Sequence, residues 1–488
     1  MTASVQPLET LDTDSVRQPW RERPCTEPLA LGLVILALMA IGVLMVYSAS
    51  RSATLVRDSL FFVKHIIFVP VAIGAMVAGA YLPYRRLNSF WPGVLVIAAA
   101  VGLCAAVLKF GVERNHARRW FEIGFGAFRI SLQPSEFAKF AMVIFLAWFF
   151  SPHPAATGRF ATSRFWGWVY RVLRGEAGSF WRGLVPALLV IGVVCALVAK
   201  EDFGTAALIG AVAVGVCLIA GWRWWYTLIL TLPAAAGFYW FVWLVDYRRI
   251  RIEMWLDPWK YFDGKGWHVC QSLMGIGSGG LTGVGLGAGI QKLYIPEVTT
   301  DFIFAAICEE MGMLGGLLVL GLFGVLIWRA GRVVRNAPDR FSFLLASGIL
   351  LTIGLQAVIN IGVVTGALPA KGISLPFISY GGSGLVMMSF AAGMLIAVAR
   401  ASPLRPDAAA AAMPPAHPLV FVPTPIAEVA APGARLACGC HQPAECGTAG
   451  SPSREECRGP STTAGQASRA TPGADATAPE TEGQDLAT

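Results

Sequence analysis

The sequence is short of charge. Of its 488 residues only 14% are Asp, Glu, Lys or Arg, against 55% hydrophobic residues and a mean hydropathy of +0.60. A soluble globular chain carries about 25% charged residues, so the composition excludes an ordinary soluble protein and points to a polytopic membrane protein. Signatures of resident metals and dinucleotides are missing too. Among the ten cysteines, Cys104, Cys195, Cys217 and Cys308 fall within apolar runs, where a thiol packs as a small hydrophobe. Cys438, Cys440, His441, Cys446 and Cys457 are spaced too loosely for a structural metal site. The glycines of "CQSLMGIGSGGLTGVGLGAGIQK" are not set in a strand-helix unit, which excludes a dinucleotide fingerprint. No nucleic-acid partner is expected. A cleaved leader is not expected either, because the first apolar run follows a polar head and leads into further runs, as a signal anchor does.

What the chain has is apolar runs. A helix needs about 20 apolar residues to cross a bilayer, and ten runs meet that rule, beginning near Leu29, Ile66, Trp91, Phe137, Leu184, Gly204, Tyr226, Phe302, Phe341 and Pro376. The prediction is an all-α polytopic membrane protein with about ten transmembrane helices. A large ordered extracytoplasmic loop, Asp246 to Thr300, lies between helices 7 and 8. Residues 1–28 form a cytoplasmic segment and 29–400 the membrane domain. The Ala-, Pro-, Gly-, Ser- and Thr-rich residues 401–488 cannot build a core and are read as a disordered cytoplasmic tail. The loop from Ser151 to Trp181 contains "RFWGWVYRVLRGE", suited to an interfacial helix.

Basic residues set the orientation. Arg17, Arg21, Arg23, Arg85, Arg86, Arg159, Arg164, Arg171, Arg174, Arg329, Arg332, Arg335 and Arg340 share one face, which makes it and both termini cytoplasmic in the plasma membrane. The opposite face carries Arg114, Arg118, Arg119, Arg129, Arg248, Arg249, Arg251, Lys265, Lys292 and Lys371, which topology does not require. These cations either bind a fixed anionic group such as a phosphate or solvate outer loops and meet lipid headgroups.

Four constellations at the outer ends of spans could carry chemistry. "RRWFEIGFGAFRISLQPSEFAK" joins Arg119, Trp120, Gln133, Glu136 and Lys139, with Pro134 or Ser135 opening the fourth helix. Glu136 and Lys139, three apart on one helix face, could also simply neutralise each other. In "KEDFGTA", Asp202 fits a capping turn and could orient an arginine. "YIPEVTTDFIFAAICEEMG" places Thr299, Thr300 and Asp301 where one of them can cap the eighth helix, which predicts for Asp301 a lowered pKa and a permanently ionised base. Glu309 and Glu310 lie deeper, at a cost of roughly 2.5 to 3.5 kcal/mol each, and must find partners inside the bundle. "NIGVVTGALPAKGISLPFISYGGSG" breaks apolar sequence with Lys371, Ser379, Ser383 and several Pro and Gly residues, as a broken helix lining a cavity does.

Together these segments resemble the SEDS family (shape, elongation, division and sporulation), polytopic glycosyltransferases. "VYSAS", "RRW…QPSEFAK", "DFGTA", "YRRIRIEMWLDPW", "QSLMGIGSGGLTGVGLGAGIQK", "IPEVTTDFIFAAICEEMG" and "LPAKGISLPFISYGGSG" occur in family order over Leu29 to Arg400. "GSGGLTGVGLG", "QKL" and the lysine of "PAKG" look like the FtsW division branch rather than the RodA elongation branch. Departures are Asn115–His116, Glu201, Thr300 and Gly384, and Thr300 stands where a histidine that could share a proton with Asp301 is common.

The resemblance implies polymerisation of lipid II into β-1,4 glycan strands with inversion, releasing undecaprenyl pyrophosphate on the outer side of the membrane. Asp301 is the implied base. Arg119, Lys139, Arg249 and Lys371 are candidates for the leaving pyrophosphate, and Trp120, Gln133, Glu136, Ser379 and Ser383 for further substrate contacts, Trp120 fitting equally an interfacial anchor. Glu309, Glu310 and Asp202 are assigned to structural polar contacts. No resident cofactor is implied, although Mg or Mn could bridge the pyrophosphate and an acid. Lipid II, a cognate class B penicillin-binding protein transpeptidase and divisome proteins are the expected partners. A lipid flippase or transporter and a non-catalytic divisome scaffold are the rival readings.

Overall fold

The computed structural model describes residues 26–51, 56–114, 117–124, 130–151, 179–223, 225–226, 239, 246–264, 266–295 and 297–402. These belong to one compact unit, Met1–Pro414. The polar head, the tail beyond 402, most of the Ser151–Trp181 loop and most of the predicted seventh span from Tyr226 lie outside the described residues.

The described elements run in this order: α1 (Thr26–Arg51), α2 (Val56–Tyr81), α3 (Phe90–Phe110), β1 (Val112–Arg114), β2 (Ala117–Ile123), β3 (Ile130–Leu132) and α4 (Pro134–Phe149). They continue with α5 (Val185–Ala199), α6 (Phe203–Ile219), α7 (Asp246–Leu256), α8 (Trp267–Ser278), α9 (Ile303–Arg335), α10 (Arg340–Val364) and α11 (Gly382–Ala401). Among the described residues seven helices are long and apolar enough to cross a membrane, and α6 is a shorter apolar helix. The chain is a multi-pass membrane protein.

Pro134 takes the first turn of α4, as expected of Pro134 or Ser135, because its missing N–H costs nothing there. Two other starts shift. α2 begins at Val56, well ahead of the apolar run near Ile66. The last helix begins at Gly382, not near Pro376, because the backbone from 365 to 381 is non-helical, with Phe377 at φ 64°. Between α3 and α4 the helical pattern yields to a small antiparallel sheet of order β1-β2-β3, which pairs Val112 with Trp120 and Phe121 with Leu132.

α4 lies at the centre, buried from Pro134 through Phe149 except at Phe137. Short as it is, it needs no lipid-facing side. α2 and α11 touch backbone to backbone: a Cβ on Gly79 would strike the Phe390 carbonyl, and one on Gly393 the Met76 carbonyl. In a membrane, where lipid competes with every apolar side chain, such small-residue contacts hold helices together.

The predicted large outer loop is ordered where described. α7 and α8 are pinned by Trp255 Nε1, which donates to the Gly366 carbonyl at 3.0 Å, and Trp267 Nε1, which donates to Tyr294 at 2.8 Å. Beyond α8 the glycine-rich chain enters a break in α9 at Gly312, whose φ is 67°. There the amides of Met313 and Leu314 donate to the carbonyls of Gly280 (2.9 Å) and Leu281 (3.2 Å). In return Val284 and Gly285 donate to the carbonyls of Glu309 (3.0 Å) and Glu310 (3.1 Å). A helix break at membrane depth is tolerated only when its backbone groups are re-satisfied, and this loop does so. Gly283 lies so close to the Glu310 carbonyl that a side chain has no room.

Candidate active site

At one end of the bundle β2, the α5–α6 turn, the 297–301 turn and the 365–381 segment converge. Asp202 caps α6, accepting from Thr205 N at 3.2 Å and Thr205 Oγ1 at 2.7 Å. The same carboxylate faces Arg119 on β2, with Nη1 3.9 Å from Oδ2, so capping and orienting coexist. Glu201 accepts from the Arg118 amide at 2.6 Å and ties the sheet to the same turn. Lys371 lies across the start of α6, its Nζ 4.7 Å from the centre of the Phe203 ring. A shallow cleft is lined by Arg118, Arg119, Ser135, Glu201 and Asp202 together with Cys104 and Val107; neither Asp301 nor Lys371 lines it.

Asp301 closes the turn that begins at Glu297. Its amide donates to the Glu297 carbonyl at 3.1 Å, while Thr300 Oγ1 contacts the Glu297 carboxylate at 3.2 Å. Glu297 has φ 58°, a left-handed conformation that costs a non-glycine residue roughly 1 to 2 kcal/mol. The capping expectation for this segment does not hold. Phe302 is the cap residue of α9, and no side chain bonds the first turn. Asp301 is half-buried, and its Oδ2 would lie only 2.6 Å from a Cβ placed on Gly372.

The lowered pKa expected of a capping aspartate is reversed as well. Burial, reinforced by the carboxylates of Glu297 and Asp202 and opposed by Arg119, pushes Asp301 up to about 7. The sequence does not show this because burial, the main cause, depends on packing, and Asp202 comes from a separate segment.

Glu136 and Lys139 do pair, at 2.9 Å, and both are buried. Lys139 Nζ also donates to Gln356 Oε1 at 2.8 Å, so its charge is spent inside the bundle. Ser383 Oγ accepts from the Gln133 amide at 3.2 Å, joining the start of α4 to α11. Ser379 is buried and accepts from the Leu375 amide at 2.8 Å, which secures the turn around Phe377. Trp120 is half-buried in the sheet. Arg249 falls on α7, and its side chain lies outside the described residues.

Glu309 and Glu310 stand apart from this cluster. Glu310 accepts from Ser48 Oγ at 2.7 Å, from the Gly287 amide at 3.1 Å and from Lys292 Nζ at 2.5 Å. Lys292, expected among the outer-face cations, is buried against that carboxylate. Glu309 accepts from the amides of Ile290 (2.6 Å) and Gln291 (2.8 Å). Both acids are bound to the glycine-rich loop.

One residue near the site was passed over in the sequence. Asn360, buried on α10, donates through Nδ2 to the Asp301 carbonyl at 2.8 Å and to the Ile373 carbonyl at 2.6 Å. An asparagine inside an apolar run was the available signal.

Residues 29–403 match the family model described as cell cycle protein, FtsW/RodA/SpoVE. The chain is 40% identical over 383 residues to stage V sporulation protein E of Bacillus subtilis, covering 77% of this chain and 97% of that one. It is 35% identical to the probable peptidoglycan glycosyltransferase FtsW of Coxiella burnetii, covering 75% of this chain and 94% of the relative. Among solved structures, a chain of a peptidoglycan synthase complex that coordinates polymerization and crosslinking superposes with a TM-score of 0.61 at 26% identity, covering 77% of this chain and 98% of that one. The rod shape determining protein RodA of Thermus thermophilus gives 0.52 at 25% identity, covering 76% and 96%.

Proposed function

Because the chain belongs to the FtsW/RodA/SpoVE family of cell cycle proteins, we propose that it is a peptidoglycan glycosyltransferase with Asp301 as its general base. It polymerises lipid II on the outer side of the membrane, with both termini in the cytoplasm. The basic face that topology does not require carries this side assignment. The FtsW-like motifs favour a role at the division septum, beside a class B penicillin-binding protein and other divisome proteins.

The observation that carries the reading is the setting of Asp301. A base must accept a proton near the working pH, and a carboxylate pushed up to about 7 is better matched to that than an ordinary aspartate. In the proposed step the 4-hydroxyl oxygen of the acceptor GlcNAc attacks the anomeric carbon of the donor MurNAc from the face opposite the leaving group. Its proton passes to Asp301 as the bond to undecaprenyl pyrophosphate breaks, and the pyrophosphate leaves with the electron pair. Negative charge grows on that leaving group, and Arg119 and Lys371 are the cations beside Asp301 placed to meet it. Among the described residues no group of three or more His, Cys, Asp or Glu side chains could hold a metal ion. Mg or Mn, held with the substrate rather than by such a group, would neutralise charge on the pyrophosphate and make polymerisation sensitive to chelation. Glu309 and Glu310 have no part in the chemistry, since their carboxylates are bound to loop amides and Lys292.

The test is polymerisation by the purified full-length protein, given lipid II and its cognate transpeptidase. Glycan strands should form, and Asp301→Asn should stop them without loss of folded protein. Polymerisation by the Asn variant at the parental rate sinks the base assignment. Exposure of inner-leaflet lipid II in proteoliposomes without polymerisation would favour a transporter instead.

A further inference from the structure

Asp301 and Lys371 lie 70 residues apart in the chain, on separate non-helical segments that no helix shape holds together. The backbone joins the two segments at one point, where the Tyr380 amide donates to the Thr299 carbonyl at 2.8 Å, and beside Asp301 itself one side-chain amide joins them. Asn360 Nδ2 spends its two hydrogens on two carbonyls, that of Asp301 and that of Ile373, two residues beyond Lys371. One turn earlier on the same face of α10, Gln356 Nε2 donates to the Ser374 carbonyl at 2.9 Å. Gln356 Oε1 in turn accepts from Lys139 Nζ, which pairs with Glu136. The ladder therefore runs from Glu136 through Lys139 to Gln356, and Gln356 and Asn360 share it not by a bond to each other but by holding the adjacent carbonyls of Ser374 and Ile373, Asn360 reaching the backbone of the base as well.

The orientation of Asn360 is fixed by this arrangement. Turned the other way, its oxygen would face two carbonyl oxygens and repel both. Asn360 Oδ1 has no hydrogen-bond partner among the described residues, so the donors alone set the pose. Asn360 and Gln356 are buried, and an unmet carbonyl there is costly, so the contacts are held continuously.

Resting on the reading of Asp301 as the base, we propose that Asn360, supported by Gln356 and Lys139, is a positioning residue that fixes Asp301 relative to the Lys371 segment. Lys139 then acts through this ladder rather than on substrate. Gly372 follows from the same arrangement. It faces Asp301 Oδ2 at the distance where a Cβ would collide, and the clamped 371–375 segment cannot back away.

The experiment compares Asn360→Ala, Gly372→Ala and the double variant in the lipid II polymerisation assay, with rates expressed per folded molecule. Asn360→Ala should lower kcat by about 100-fold, the scale of a misplaced catalytic group, leave KM within about twofold and move the midpoint of the acid limb to lower pH as Asp301 gains solvent. Gly372→Ala should lower kcat about tenfold. In the double variant the Gly372 substitution should cost little more, because the unclamped segment yields. Asn360→Ala at the parental kcat and pH midpoint, beside an inactive Asp301→Asn, would overturn the ladder and spare the base. An active Asp301→Asn would overturn the base first. If Asn360→Ala does not accumulate, Gly372→Ala decides alone, since that position is exposed; a parental kcat there shows a segment free to move and rejects the proposal.

Discussion

Asp301 and the Glu309–Glu310 pair lie within ten residues of each other around the start of one helix, and their surroundings are opposite. Glu309 and Glu310 are almost wholly buried, and each carboxylate has its own partners: two loop amides on Glu309, and a hydroxyl, an amide and an ammonium on Glu310. The Asp301 carboxylate has no such partner among the described residues of its turn: burial first, and then two other carboxylates, raise its pKa, and one arginine partly relieves it. With Asp301 proposed as the base, depth in the membrane is not what would decide which acid is reactive. The deeper acids are neutralised because they must be, whereas the one at the rim is left in tension with its neighbours.

Removing the acid on each side gives the two largest effects. Asp301→Asn should lower polymerisation by at least about 100-fold, the lower range for a general base, and should not lower the melting temperature. The sign follows from the raised pKa. Stability that is full below the unfolded carboxylate pKa is lost as pH rises through about 7, so replacing the acid with an amide removes that loss, most clearly above pH 7. Glu310→Ala should do the reverse, leaving the buried ammonium of Lys292 without its partner at a cost of about 3 to 5 kcal/mol. A fall in melting temperature, or failure to accumulate, should accompany it. A Glu310→Ala protein that melts like the parent would erase the contrast between the two regions.

A smaller effect tests the rim alone. Arg119 holds the Asp301 pKa down, so Arg119→Gln should raise it and carry the acid limb of the pH–rate profile to higher pH, besides weakening pyrophosphate contact. An unmoved midpoint would mean that Arg119 acts on substrate only.

Much of this contrast was legible in the sequence, but not its cause. Apolar length gave the helices, and the cost of burying Glu309 and Glu310 predicted that they would find partners. The same rule could not say that the partners would be loop amides and Lys292, because these depend on the glycine-rich chain entering the break at Gly312. The three strands escaped notice because two of them are three residues long and carry no alternation that apolar flanks do not swamp. At the site, the residue types were legible and the electrostatics were not. A capping aspartate and a crowded one have the same sequence, and burial together with the approach of Glu297, Asp202 and Arg119 distinguishes them.

The smallest effect is the sharpest, and it concerns Glu297. Its carboxylate raises the Asp301 pKa, and its backbone is held at φ 58°. Glu297→Gln removes the charge and keeps the strain; Glu297→Gly removes both. Each should move the acid limb to lower pH, opposite to Arg119→Gln, and by the same amount, since the charge lost is the same. Because Glu297 is exposed, added salt should shrink the shift in both. The melting temperatures should separate them. Glycine relieves roughly 1 to 2 kcal/mol of left-handed strain but gives back about 0.5 to 1 kcal/mol of backbone entropy, so the Gly variant should melt slightly above the Gln variant. Equal pH shifts with unequal melting would show that the rim carries its electrostatic tension and its backbone tension in one residue. Unequal pH shifts would mean that the turn itself, and not the charge of Glu297, sets the proton affinity of Asp301.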